Sequence, residues 1–287
     1  MKVVDLIADR TGARHRADQD EELVFAVDPS VVARRRETRI VTLFRILIGV
    51  GTLLAWHFAS DRLVPDFWIS NPLAVLAALG RLWNEMGLGY SIVATMGEAL
   101  AGFALGAAVG IGIGLLFGAN RTIARILDPY LVGFNSLPRV ALIPLFILWF
   151  GIGFQTKVVF TSTLVFFPIF MNTLSGARNV NTDLMDVLKV MGASRLDTIR
   201  KVLIPSALVW VFAGLHISVP YALIGAVVAE MFTSNVGLGY LISDTANKFD
   251  TAGLFATLVV TTALGLLLSA GVSWLERRAL SWKPTDL

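Results

Sequence analysis

Any chemistry in this chain has to come from a short list of residues. Four ionisable side chains, Glu98, Arg139, His216 and Glu230, stand inside otherwise apolar stretches. Groups in that setting serve as relays for ions or protons, as contacts for a polar solute, or as partners between helices. Here they are few, of mixed sign and far apart in the chain, so they form no graded relay. Hydrolysis of a nucleotide would need a G-x-x-x-x-G-K-[ST] loop, whose backbone N–H groups and lysine cradle the phosphates. The chain contains no Gly-Lys pair. No H-E-x-x-H pair is present, and His15, His57 and His216 are too scattered to propose a metal site. Cysteine is absent, which excludes disulfides and thiolate ligands. Gly192-Ala193-Ser194 has the outline of a serine-nucleophile motif but falls in a charged loop. The expectation is a non-catalytic chain with no catalytic residue, no metal and no cofactor of its own.

The elements that hold these residues follow from composition. The 287 residues are 55% hydrophobic and 16% charged, against about 25% charge in a soluble domain. Charge crowds into residues 1–39, while later stretches run about 20 residues nearly without it, the length needed to cross ~30 Å of hydrocarbon as a helix. The pattern predicts an all-α polytopic bundle of about six spans: 40–60, 91–118, 128–150, 156–176, 205–232 and 251–275. No cleavable leader is expected, because residues 1–36 lack an early apolar core. The formal charge of +3 is read as topology, not nucleic-acid binding. Arg34, Arg35, Arg36, Arg39, Arg121, Arg125, Arg178, Lys189, Arg195, Arg200, Lys201, Arg277 and Arg278 fall on one side of these spans. Only Arg62, Arg81, Lys157 and Lys248 fall on the other. Cytoplasmic loops carry the Lys/Arg excess, so both termini are expected inside a multi-pass membrane protein surrounded by lipid.

The expected organisation is a cytoplasmic arm at 1–38, a first span and an external helix within 39–90, a core at 91–280 and a tail at 281–287. Asn71–Met86 reads as that external helix, with Pro72 in its first turn. In the second span Gly102, Gly106, Gly110, Gly114 and Gly118 recur every fourth residue. They make one ridge without side chains, suited to close helix packing within the subunit or at a dimer seam. Glu98 lies on the same ridge and must face protein or water. The third span is interrupted by Pro138 and Pro144, and broken helices at membrane depth line a cavity or pack on protein. Arg139 beside the break either has an anionic partner within the membrane or reaches the interface as an anchor. Asn135, Ser136, Arg139, His216, Ser218, Tyr221 and Glu230 are the candidates to line a pathway, each also able to bond helix to helix.

The most informative stretch is the loop at 182–205. Leu184, Val187, Leu188 and Met191 form one apolar helix face. Gly192 suits a left-handed helix end. Ser194-Arg195-Leu196-Asp197 fits a capping box that opens a second short helix, and Pro205 starts the next span. A connector that only spans a gap would not need this patterning. The loop is a folded cap or a docking surface on which a partner's groove closes.

Asp186-Val187-Leu188, three residues, Gly192, nine residues and then Val202-Leu203-Ile204-Pro205 resemble the EAA loop of bacterial ABC import permeases. That pattern is Glu-Ala-Ala, three residues, Gly, nine residues, Ile, one residue, Leu-Pro. The segments LPRVALIPLFILWFGIG, FFPIFMNTLSGARNV and VVAEMFTSNVGLGYLI are similar to the sulfonate, taurine and nitrate branch, from about Ser91 onward. Val187 and Leu188 replace the two alanines, and Glu98 stands where relatives commonly carry arginine. The resemblance implies the type I importer-permease fold and an inner-membrane homodimer. It also implies two ATPase subunits that bind ATP and Mg, and a periplasmic or lipid-anchored solute-binding protein. On it, Asp186, Val187, Leu188, Met191, Gly192, Ala193, Ser194 and Pro205 are the contacts to the ATPase. The rival class is a secondary transporter or channel that needs no ATPase.

Overall fold

Prolines and glycines punctuate the chain into helices whose ends can be explained one by one. The computed structural model describes residues 29–60, 62–118, 121–179, 190–194, 197 and 199–281. Residues 1–28 of the expected arm, Asp186, Val187 and Leu188 of the loop, and residues 282–287 lie outside the described residues. No β-strand occurs among the described residues.

The chain divides into two units, 1–63 and 64–287. In the first, α1 (Pro29–Ala59) is one continuous helix, so the last residues of the expected arm are already helical. Its apolar part, Ile40–Ala59, is long enough to cross a membrane. Ile40, Phe44, Leu47, Ile48 and Phe58 are all exposed. At its end the Arg62 guanidinium lies over the Phe58 ring, 5.7 Å from the centroid.

The second unit begins with a single turn, α2 (Asp66–Ile69), and then α3 (Pro72–Glu85). Asn71 caps α3 by accepting from Ala74 N at 2.8 Å, and Pro72 fills the first turn, where no N–H is needed. The buried face of α3 is Val75, Ala78 and Leu82, while Leu73, Leu76 and Trp83 are exposed. It packs on α10 (Thr251–Ala279). Arg81 pairs with Asp250, whose carboxylate also caps α10 by accepting from Gly253 N at 3.0 Å.

Three long helices form the centre: α4 (Leu88–Gly118), α7 (Phe154–Arg178) and α8 (Ile204–Thr233). Lipid is as apolar as leucine, so helices in it associate through close approach and interhelical bonds. The α4 glycines supply the first of these. A Cβ on Gly102 would fall 2.5 Å from Thr161, one on Gly106 2.7 Å from the Ser162 carbonyl, and one on Gly114 2.7 Å from Thr173. The ridge therefore packs against α7 inside the subunit. Gly97 and Gly112, on other faces of α4, would meet nothing. On its other side α7 receives α8 in the same way, with Gly225 against Thr161 and Gly214 against Ile169.

The third expected span is two helices, α5 (Arg121–Asn135) and α6 (Ile143–Phe150), with a bend of 77° between Pro129–Asn135 and Arg139–Phe150. The first starts at Arg121, earlier than the expected 128, and passes through Pro129 without breaking. The break comes at Pro138, which cannot donate a hydrogen bond and excludes helical backbone in the residue before it. A 3-10 turn, Arg139–Leu142, leads into α6, where Pro144 sits harmlessly in the first turn. Ile143 and Phe146 anchor α6 against Phe160 and Leu164 of α7. With this pair counted as one, the described residues hold six candidate spans, otherwise five. Last comes α9 (Leu238–Asn247), packed between the ends of α8, α10 and α4.

Candidate functional site

Three groups of polar residues stand out, and they divide the sequence-derived candidates among them. The first lies where α4 and α7 begin and α8 ends. Lys157 donates to Glu98 Oε1 at 2.5 Å and to Ser234 Oγ at 3.1 Å. The lysine and glutamate side chains are 8% and 5% exposed. Glu230, fully buried, accepts from Thr95 Oγ1 at 2.7 Å and from Gly239 N at 2.7 Å. Thr95 Oγ1 in turn accepts from Leu238 N at 2.8 Å, and Ser91 Oγ accepts from Gly237 N at 3.4 Å. Three successive amides at the start of α9 are therefore capped by side chains from α4 and α8, with a carboxylate at the positive end of the helix dipole. Gly237 has φ +114, and a Cβ there would overlap the Glu230 carboxylate. The glycine pair is what lets Glu230 approach the backbone.

Sequence reasoning placed Glu230 among the pathway candidates and Lys157 among the loop cations. The structure places both inside the protein, as partners of α9 and Glu98. His216 Nε2 lies 2.9 Å from Glu276 Oε2, joining α8 to α10. Ser218 is buried and donates to the Val165 carbonyl at 3.3 Å, joining α8 to α7.

The second group is the remainder of the pathway list, of which the helix break brings Arg139 and Asn135 together. Arg139 Nη2 donates to Asn135 Oδ1 at 3.1 Å across the turn. Its guanidinium lies over the Phe167 ring, 5.1 Å from the centroid. Tyr221 is 40% exposed on α8. Asn135 and Ser136 are exposed. A cation stacked on an aromatic ring, with an amide beside it, can hold a small polar or anionic group.

The third group is the described part of the loop. Val190 and Met191 are 89% and 75% exposed, and Gly192 has φ +77, the left-handed conformation that ends a helix. Ser194 and Asp197 form a reciprocal capping box: Asp197 N donates to Ser194 Oγ at 3.2 Å and Ser194 N to Asp197 Oδ2 at 3.3 Å. The Ser194 hydroxyl and Lys201 beside Asp197 hold its carboxyl below the usual carboxylate range. Helical backbone at Asp197 is followed by a wider turn from Ile199. A π turn, Ile199–Leu203, runs straight into α8, with Pro205 in the first turn of α8. Proline cannot donate to the carbonyl four residues back, and a wider turn accommodates that missing bond. Leu203 is buried against Ala177 of α7, with Val202 and Leu115 packed beside them.

Taken together, a broken span, three close-packed helices and a folded loop continuous with one of them define a class of transport protein. The chain superposes with TM-score 0.59 on a chain of the MetNI methionine ABC transporter in an inward-facing conformation. Identity there is 19%, covering 67% of this chain and 95% of that one. The fold is that of the type I ABC importer permeases. Residues 106–281 match the binding-protein-dependent transport system inner membrane component family, and the chain belongs to it. It is similar to the putative aliphatic sulfonates transport permease protein SsuC of Bacillus subtilis, 37% identical over 85% of this chain and 84% of that one. It is also similar to the formylaminopyrimidine transport permease protein ThiX of Halalkalibacterium halodurans, 31% identical over 84% and 95%. The nitrate import permease protein NrtB of Leptolyngbya laminosa is 29% identical over 96% and 98%.

Proposed function

We propose that this chain is the membrane-spanning permease subunit of an ATP-driven importer. It forms the path for a small polar or anionic solute, of the sulfonate, taurine or nitrate kind, handed over by a binding protein outside the cell. Two copies form the path. Two separate ATPase subunits bind ATP and Mg and dock on the loop 182–205. Residues 91–280 are the permease core, and 1–38 and 281–287 lie with both termini in the cytoplasm.

The observation that carries this reading is the form of the loop where it is described. Val190 and Met191 are large apolar side chains left open at a fixed turn. That turn is held by the Gly192 conformation and the Ser194–Asp197 box, and Ile199–Leu203 leads from it into α8. Force applied at Met191 is thereby delivered to a transmembrane helix. The spacing of Asp186, Gly192 and Pro205 and the printed names of the relatives support the same assignment.

The test is reconstitution in proteoliposomes with and without the ATPase subunits and the loaded binding protein. Uptake should require ATP and both partners. Gly192→Pro and Asp186→Arg should leave the protein inserted and folded while abolishing uptake and ligand-stimulated ATP hydrolysis. Uptake by the permease alone would instead identify a secondary transporter or channel, and full transport by both variants would reject the docking role of the loop.

A further inference from the structure

Arg139 differs from the other ionisable groups that stand inside the spans of residues 64–287. Glu98 and Lys157 pair with each other, Glu230 caps α9, and His216 meets Glu276. Among the described residues Arg139 has no carboxylate partner. Its contacts are Asn135 Oδ1 and the face of Phe167, which leave most of the five guanidinium donors uncommitted.

Its depth follows from what it touches. Phe167 is thirteen residues after Phe154 and eleven before Arg178 on α7, about 20 Å and about 16 Å from the two helix ends at 1.5 Å per residue. The guanidinium therefore stands near the middle of the spans, not at an interface. A lone cation is costly there unless an anion or water-filled space satisfies it. The 77° break that carries it also leaves Asn135 and Ser136 exposed beside it.

We propose that Arg139 is the seat of a small oxyanion on the translocation path. The guanidinium fork would hold two oxygens of a sulfonate, nitrate or carboxylate group, with Asn135 orienting the fork and Phe167 supporting it from below. This inference rests on the permease reading, but its test does not use transport.

The chain has no cysteine, so Ser136→Cys introduces the sole thiol. The full-length protein carrying that substitution is treated with an anionic sulfonatoethyl and a cationic trimethylammonioethyl thiosulfonate reagent. Rates are normalised to those with a free thiol. With Arg139 in place, the anionic-to-cationic rate ratio should be about tenfold or more above that measured with Arg139→Gln. Arg139→Lys, which keeps the charge without the fork, should retain most of the ratio. Nitrate or ethanesulfonate should slow the anionic reagent in the arginine protein and not in the Arg139→Gln protein. An equal ratio in both proteins would overturn the proposal. So would a ratio favouring the cationic reagent, the result expected if a carboxylate from a second copy already occupies the guanidinium. ATP-dependent uptake by the unsubstituted protein tests the permease reading separately, so either idea can fail without the other.

Discussion

Replacing Lys157 with methionine isolates the energetics of the buried polar group. The Lys157–Glu98 contact is 2.5 Å, with side chains 8% and 5% exposed. At an effective dielectric of about 20, two unit charges that close attract by about 7 kcal/mol before desolvation is counted. Removing two ions from water costs several kcal/mol each, so the intact pair is close to break-even. Removing one partner is different. Glu98 Oε1 loses its lysine, and Oε2 already has no hydrogen-bond partner among the described residues. Lys157→Met should therefore destabilise the protein by about 3–5 kcal/mol. The double variant Lys157→Met with Glu98→Leu should recover to within about 1–2 kcal/mol of the parent, because no charge is left stranded. The measurement is reversible SDS-induced unfolding of the detergent-solubilised protein, followed by tryptophan fluorescence, with both single variants and the double forming a cycle. A Lys157→Met cost below about 1 kcal/mol, or single costs that simply add in the double, would refute the argument that this is a mutually dependent buried pair.

Gly106→Ala should cost about 1–3 kcal/mol in the same assay, since its Cβ would press on the Ser162 carbonyl, whereas Gly112→Ala, with open space, should be neutral or slightly stabilising. Glu230→Gln keeps the shape but offers one acceptor where Thr95 and Gly239 N need two. It should cost about 1–3 kcal/mol and raise hydrogen exchange at Gly237–Gly239. Asp197 has a depressed carboxyl, so its contribution is present above the unfolded value near 4 and is lost as pH falls through the lower folded value. Pepsin cleavage near Ser194–Lys201, normalised at each pH to that of an unstructured peptide of the same sequence, should accordingly rise as pH falls from about 4 to 2 in the parent and stay constant in Asp197→Ala.

Local patterns were readable and long-range ones were not. The six spans, the Asn71-capped helix and the Ser194–Asp197 box depend on residues within a few positions of each other. The glycine ridge was visible as a period of four, and the requirement that Glu98 avoid lipid follows from charge alone. Its partner was not legible: Lys157 is 59 residues away, and in one dimension it looks like any loop cation near a glycine turn. Glu230 was seen as a polar group in a span, but its task depends on where Gly239 returns to the bundle. Arg139 had two open readings because its depth is set by the angle of the break and by where the turn rests on α7, neither of which is encoded in local spacing.

The glycine ridge also has a temporal side. Gly118 is made about 60 residues before Arg178 completes α7, which at 5–20 residues per second is roughly 3–12 s of synthesis. Through that interval α4 is in the membrane with its bare backbone groove and no α7 to fill it. Glu98 waits for Lys157 over much of the same period. The nascent chain therefore has a window in which both features are open to wrong neighbours. Substitutions along this ridge should lower the yield of assembled protein more steeply than they lower the transport rate of the molecules that complete assembly.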